Sequence, residues 1–377
     1  MSEALNPAGA AEDPELALSR GRWVKWIAGA SNQDLASIED LAGIHALAGV
    51  HCLDVAADGA VVAAARRGIA WASERAAFTP VPGASASPAP WLMVSLSDGA
   101  DPHFRKAGFD PRRCPADCPR PCARVCPALA IPAAAGDTGV IAERCYGCGR
   151  CLPACPLGLI EERQHVLDPA AVAPLLAELR PDAIELHTQV GRQAAFAERL
   201  AQVRAAGLPL RRLAVSCGLE PATGSALPPR PVSARELAHE LWLRHGLVRA
   251  AGLRPLWQLD GRPMRGDVGA GTAHAAVRLW QQLAPLAPPG PLQLAGGTNA
   301  HTHALVRQVA GEVRAPLAGI AFGGVSRSLL QPLLQRAQER GQRLLDADDL
   351  WPEALRLVRR LVEPWLAAPD RGPAGPR

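Results

Sequence analysis

Cys145-Tyr-Gly-Cys148-Gly-Arg-Cys151-Leu-Pro-Ala-Cys155-Pro156 lies in the one interval that breaks the rhythm of this sequence. On either side of that interval, short apolar runs rich in Val, Ile, Leu and Trp alternate with longer helical patterns, as in a parallel sheet built from βα units. The strand-like runs fall at 23–29, 50–56, 91–96, 183–188, 212–217, 255–260, 292–297 and 317–323. Helical patterns follow at 34–47, 60–72, 169–179, 195–206, 234–251, 273–284, 301–313, 328–342 and 352–366. Without tails at 1–20 and 368–377 and the block 98–165, about 280 residues remain, against roughly 250 for a (β/α)₈ barrel. The reading is a TIM-like (β/α)₈ barrel, 21–97 and 166–367, with a cysteine module at 98–165 inserted after strand three and with disordered tails. An open, doubly wound α/β sheet would show the same alternation. However, no Gly-x-Gly-x-x-Gly follows the first run to mark a dinucleotide site.

Eight of the ten cysteines lie between Cys114 and Cys155, whereas Cys52 and Cys217 stand alone in apolar segments. So few cysteines in 377 residues do not make a disulfide scaffold, and clustering of this kind marks a metal site. The run from Cys145 to Pro156 has the C-x₂-C-x₂-C-x₃-C-P spacing of bacterial ferredoxins, in which the fourth cysteine serves the other of two clusters. Gly147 and Gly149 allow backbone N–H groups to turn toward the sulfurs. The first half, Cys114-Pro-Ala-Asp-Cys118-Pro-Arg-Pro-Cys122-Ala-Arg-Val-Cys126-Pro127, has x₃ steps where the standard run has x₂. Reciprocal pairing then gives one [4Fe–4S] cluster on Cys126, Cys145, Cys148 and Cys151. A second falls to Cys114, Cys118, Cys122 and Cys155, where the wider spacing leaves room for a [3Fe–4S] form. Zinc also accepts four thiolates but usually from two separated pairs. Tyr146, the single tyrosine, sits beside a ligand, where it would shield a cluster or simply pack.

Lys plus Arg number 40 and Asp plus Glu 36, a net charge of +4 without a basic stripe, so nucleic acid is not an expected partner. No apolar run reaches the roughly 18 residues of a membrane span, and Glu3, Glu12, Asp13 and Glu15 interrupt the start of the chain. The expectation is a soluble, cytoplasmic protein.

In a barrel the C-terminal ends of the strands build the site. Polar residues there are Asp54, Asp58, Ser95, Asp98, Glu185, His187, Ser216, Gln258 and Asp260, and Glu185 and His187 project to the same side of one strand. The loops Gly296-Gly297-Thr298-Asn299 and Gly323-Gly324-Val325-Ser326-Arg327 follow strands seven and eight, where barrels commonly hold phosphate. They make a phosphate-bearing ligand such as FMN the expectation, with Arg327 as countercharge, although glycines also simply make turns. The loop 258–272, carrying Arg262, Met264, Arg265 and Asp267, would cover the mouth, and Thr272 would cap the next helix.

Together, Val94-Ser-Leu-Ser-Asp-Gly-Ala-Asp-Pro-His-Phe-Arg-Lys106, both cysteine runs, Trp257-Gln-Leu-Asp-Gly-Arg-Pro-Met264 and Gln293-Leu-Ala-Gly-Gly-Thr-Asn299 resemble the light-dependent period modulator family (LdpA) of cyanobacteria. The likeness spans residues 21–330. It implies an iron–sulfur redox sensor that relays cellular redox state, and hence light intensity, to circadian clock proteins and clock-associated kinases. Redox carriers would exchange electrons with it. Two other functions fit the residues: an oxidoreductase whose clusters feed a flavin in the barrel mouth, and a protein whose clusters are purely structural.

Overall fold

The computed structural model describes residues 12–78, 89–133, 138–164, 166–220, 232–262, 269–313 and 315–367. Eight parallel strands close into a barrel: β1 (Trp23–Ile27), β2 (Cys52–Ala56), β3 (Trp91–Ser97), β6 (Ala183–His187), β7 (Arg212–Gly218), β8 (Pro255–Asp260), β9 (Leu292–Ala295) and β10 (Leu317–Phe322). Between β3 and β6 the chain leaves the barrel and forms an antiparallel pair, β4 (Arg105–Gly108) with β5 (Glu161–Gln164). Closure is direct: Trp23 to Trp26 of β1 pair with Gly319 to Phe322 of β10, which excludes the open sheet.

All eight strand runs read from the sequence are barrel strands, because each is apolar on its outer face. Val24, Trp26, Leu53, Val55, Val94, Ile184, Val215, Trp257 and Leu294 point outward into one continuous core beneath the helices. Those helices are α2 (Leu35–Ala48), α3 (Gly59–Phe78), α6 (Pro169–Leu179), α7 (Gln193–Ala205), α8 (Ala234–Ala250), α9 (Ala273–Leu283), α10 (Thr302–Val309), α11 (Gly324–Glu339) and α12 (Trp351–Leu366). Two one-turn helices, α4 (Pro121–Arg124) and α5 (Cys151–Ala154), belong to the cysteine module, which has its own small core of Cys122, Ala123, Ile131, Cys151 and Ile160.

The N-terminal tail needs a correction. Residues 14–20, expected to be disordered, form α1 (Pro14–Arg20), and Asp13 caps it by accepting from the N–H of Glu15 at 2.9 Å. Leu18 of α1 joins Trp23, Cys52, Trp91, Met93, Ala183, Ala214, Leu256 and Ala318 in an apolar layer that closes the bottom of the barrel. Burying a leucine there contributes about 2 kcal/mol, and Glu15 pairs with Arg212 and Arg254. Residues 1–11 and 368–377, the rest of the expected tails, lie outside the described residues.

Candidate metal centre

The eight module cysteines are all free thiols. Burial pushes the Cys151 thiol up to about 12, and the neighbouring Cys148, Cys145 and Cys126 raise it further. Burial likewise raises Cys122, whose thiol neighbours are Cys155, Cys114 and Cys118. Cys114, Cys118, Cys122 and Cys155 line a small hollow walled by Phe109, Pro121, Leu157, Leu159 and Ile160.

Four thiols packed so closely repel one another as thiolates, so the ionised set requires cations among them. Tetrahedral zinc, with Zn–S near 2.3 Å, would draw the four sulfurs to about 3.8 Å from one another. Among the described residues, no three of these sulfurs lie within 4.8 Å of one another. Backbone N–H groups already point at the sulfurs: Ala107 donates to Cys145 Sγ at 3.3 Å, Ala130 to Cys126 Sγ at 3.2 Å and Leu159 to Cys155 Sγ at 3.4 Å. Such bonds stabilise thiolate and tune a cluster's potential. These residues would hold the clusters, whose chemistry is one-electron transfer.

The loop 145–151 is docked on the barrel. Gly147 and Gly149 take positive φ, 74° and 77°, and a Cβ on either would run into Arg105. Arg105 is buried; its Nε donates to Gly147 O at 2.8 Å and its guanidinium pairs with Glu162 at 2.6 Å. Tyr146 is buried against Gly29 at the end of β1, and Arg327 of α11 stacks on its ring at 4.5 Å. The Arg327 guanidinium also donates to Ala28 O at 2.5 Å. Arg327 therefore faces the cluster loop.

Inside the barrel, above the apolar layer, the strands contribute a buried polar layer. Lys25 Nζ lies 2.9 Å from Asp54 Oδ2 and also pairs with Glu185. Ser95 Oγ donates to Asp54 Oδ1 at 2.7 Å, and Gln258 Nε2 donates to Glu185 Oε1 at 2.7 Å. Gln293 Nε2 donates to Gln258 Oε1 at 2.6 Å, and Ser216 Oγ to Asp260 Oδ2 at 2.6 Å. Burial disfavours the Lys25 ammonium, but Asp54 and Glu185 outweigh it and raise the pKa, so this lysine is held as a cation. Above this layer, His187 Nε2 lies 2.9 Å from Glu185 Oε1, while His103 and Asp101, from the start of the module, reach over the mouth. His103 Nδ1 is 2.7 Å from Asp101 Oδ1; burial opposes the imidazolium, yet Asp101 raises its pKa to about 9.

Of the strand-end residues read from the sequence, the barrel brings together Asp54, Ser95, Glu185, His187, Ser216, Gln258 and Asp260. It leaves two outside. Asp58 caps α3 through the N–H of Ala60 at 2.9 Å, and Asp98 holds Thr188 and Arg192. Sequence reasoning missed Lys25, Gln293, Asp101 and His103. Lys25 carried a signal, being a single charge in the otherwise apolar Trp-Val-Lys-Trp-Ile strand.

The glycine loops are occupied by the protein's own groups. Gly296 and Gly297 have φ of 63° and 90° and lie against the backbones of Arg262 and Thr272. Thr298 Oγ1 donates to Ala321 O at 2.5 Å, and the Asn299 side chain accepts from the N–H of His301 at 2.9 Å. Gly323 and Gly324 open α11. Thr272 does not cap α9 with its side chain; its hydroxyl instead donates to Gly297 O at 2.6 Å. Met264, Arg265 and Asp267 of the expected lid lie outside the described residues.

The fold and site define an iron–sulfur protein whose cluster-binding module is inserted into a (β/α)₈ barrel. Two family models match: the LdpA Fe–S cluster-binding domain over residues 114–166 and the Light dependent period A C-terminal domain over residues 175–364. A curated relative named Light dependent period A, from Synechococcus elongatus, is 47% identical over 346 residues, covering 91% of this chain and 90% of its own. The chain belongs to the light dependent period A family. Among solved structures, a rubisco-like protein (MtnW) from Alicyclobacillus acidocaldarius is 15% identical, with 95% of this chain and 72% of that one covered at a TM-score of 0.37. A 2,3-dimethylmalate lyase is also 15% identical, with 91% and 92% covered at 0.37. Likeness of that degree carries no argument about chemistry. Among the described residues no helix is long and apolar enough to cross a membrane.

Proposed function

We propose that the protein is a cytoplasmic redox sensor holding two clusters, one on Cys126, Cys145, Cys148 and Cys151 and one on Cys114, Cys118, Cys122 and Cys155. Both are read as [4Fe–4S], with three irons an alternative at the second set. Its output is a redox-dependent interaction with circadian clock proteins and clock-associated kinases, and redox carriers supply the electrons. The name of the Synechococcus relative supports the link to light.

The contact that carries this reading is Arg327 on Tyr146, which places a cationic barrel side chain beside the ligand loop. An added electron on the cluster of Cys126, Cys145, Cys148 and Cys151, the inner cluster, changes the charge facing that contact, which gives redox state a route into the barrel surface. The competing reading, electron delivery to FMN in the mouth, is weakened by the engagement of Arg327 with the cluster loop and by the internal pairing of the 296–299 loop. Binding of the anaerobically purified full chain to clock kinases, measured fully oxidised and then fully reduced, tests the proposal. Different affinities in the two states are expected, and equal affinities overturn it.

A further inference from the structure

We propose that Asp101, His103 and His187 form a second metal centre at the barrel mouth, separate from the cysteines and suited to a divalent transition-metal ion such as zinc. Their donor atoms all lie within 4.8 Å of one another, and among the described residues no other His, Cys, Asp or Glu trio does so. Two imidazoles and a carboxylate are the donor set that borderline divalent ions prefer, and three protein ligands leave a coordination position open to water or an oxyanion.

The surroundings are those of a built site. Asp101 and His187 are buried at 5% exposure, while His103 keeps a quarter of its side chain accessible, which leaves a way in. Glu185 holds His187 Nε2 at 2.9 Å, the carboxylate–imidazole support common behind metal-bound histidines, and this leaves Nδ1 for the ion. Ser216 Oγ lies 3.4 Å from that Nδ1 and donates to Asp260. Asp54, Glu185 and Asp260 on the strands below, with Asp101, put four carboxylates around Lys25 and the two imidazoles, a surround that favours a cation. The site also gives a purpose to Asp-Pro-His103, which the cluster module does not use. Two residues further on, Arg105 grips the cluster loop, so one short segment joins the two centres.

The test uses the full chain with its clusters intact, stripped with a mild chelator and titrated anaerobically with Zn²⁺, with bound zinc and iron counted together. One equivalent of zinc with no loss of iron is expected. His103→Gln and, separately, His187→Gln should each weaken zinc retention at least about tenfold with iron unchanged. His103→Gln alone decides the matter if the buried His187→Gln fails to fold. Failure of the wild type to retain zinc overturns the proposal. So does equal retention by the variants, or uptake only at the expense of iron, which would place zinc in the thiols.

Discussion

The guanidinium carbon of Arg327 lies 4.5 Å from the centre of the Tyr146 ring, so the helix after the last barrel strand and the loop that bears three cluster ligands share one contact. Replacing Arg327 with Gln removes a buried positive charge near Cys148. A nearby cation favours the reduced, more negative cluster. Arg327→Gln should therefore shift the inner cluster's midpoint potential negative by tens of millivolts, where about 59 mV is tenfold for one electron. Arg327→Lys should shift it less. Redox titration followed by EPR reads the difference, and an unchanged potential would show that the contact is only packing.

If the cysteines work as two sets of four, losses should be non-additive within a set and additive between sets. Cys148→Ser and Cys148→Ser/Cys151→Ser are expected to lose the same cluster signal and the same iron. Cys148→Ser/Cys122→Ser should lose both signals. Iron and sulfide counts on anaerobically prepared variants check this. A double variant within one set that abolishes both signals would refute the partition.

Lys25 faces two carboxylates in a buried layer. Lys25→Met would leave Asp54 and Glu185 without a countercharge at a cost of about 3–5 kcal/mol, since an orphaned buried charge is dearer than the pair it came from. Urea midpoints should fall accordingly, and adding Asp54→Asn should recover part of the loss. No recovery would mean that Lys25 acts chiefly through packing.

Burial holds His45 and His51 neutral. His45 Nδ1 donates to Leu41 O at 2.6 Å while Nε2 accepts from Ser326; His51 Nδ1 accepts from the N–H of Val24 at 3.1 Å. Burial lowers them to about 3 and about 4. Below an unfolded value near 6.5 the unfolded chain therefore takes up protons that the folded chain refuses, and stability falls as pH drops from 6.5 toward 4. At pH 5 each costs about 2 kcal/mol. Comparing denaturation at pH 7.5 and pH 5, His51→Asn should flatten the slope; an unchanged slope would assign the acid sensitivity elsewhere.

Much of this was legible in the linear sequence because it is periodic or covalently spaced. Trp-Leu-Met-Val-Ser-Leu-Ser of β3 and its counterparts announced barrel strands through their outward apolar residues, and the x₂ steps from Cys145 to Cys151 announced a cluster. The helix Pro14–Arg20 was not legible, since its stability comes from Leu18 meeting Trp23 and Trp91 under the barrel. Nor was the contact of Arg327 with Tyr146, which joins residues far apart in the chain.

The number of strands and the site of the insertion can be read from spacing along the chain alone, because both are set by where apolar runs and cysteines fall. Folding in three dimensions closes the sheet, brings Lys25, Asp54 and Glu185 together, and stands His103 from the module beside His187 from β6. Those contacts join residues 29, 160 and 84 positions apart. Their existence depends on strand register and barrel closure, which local periodicity does not encode.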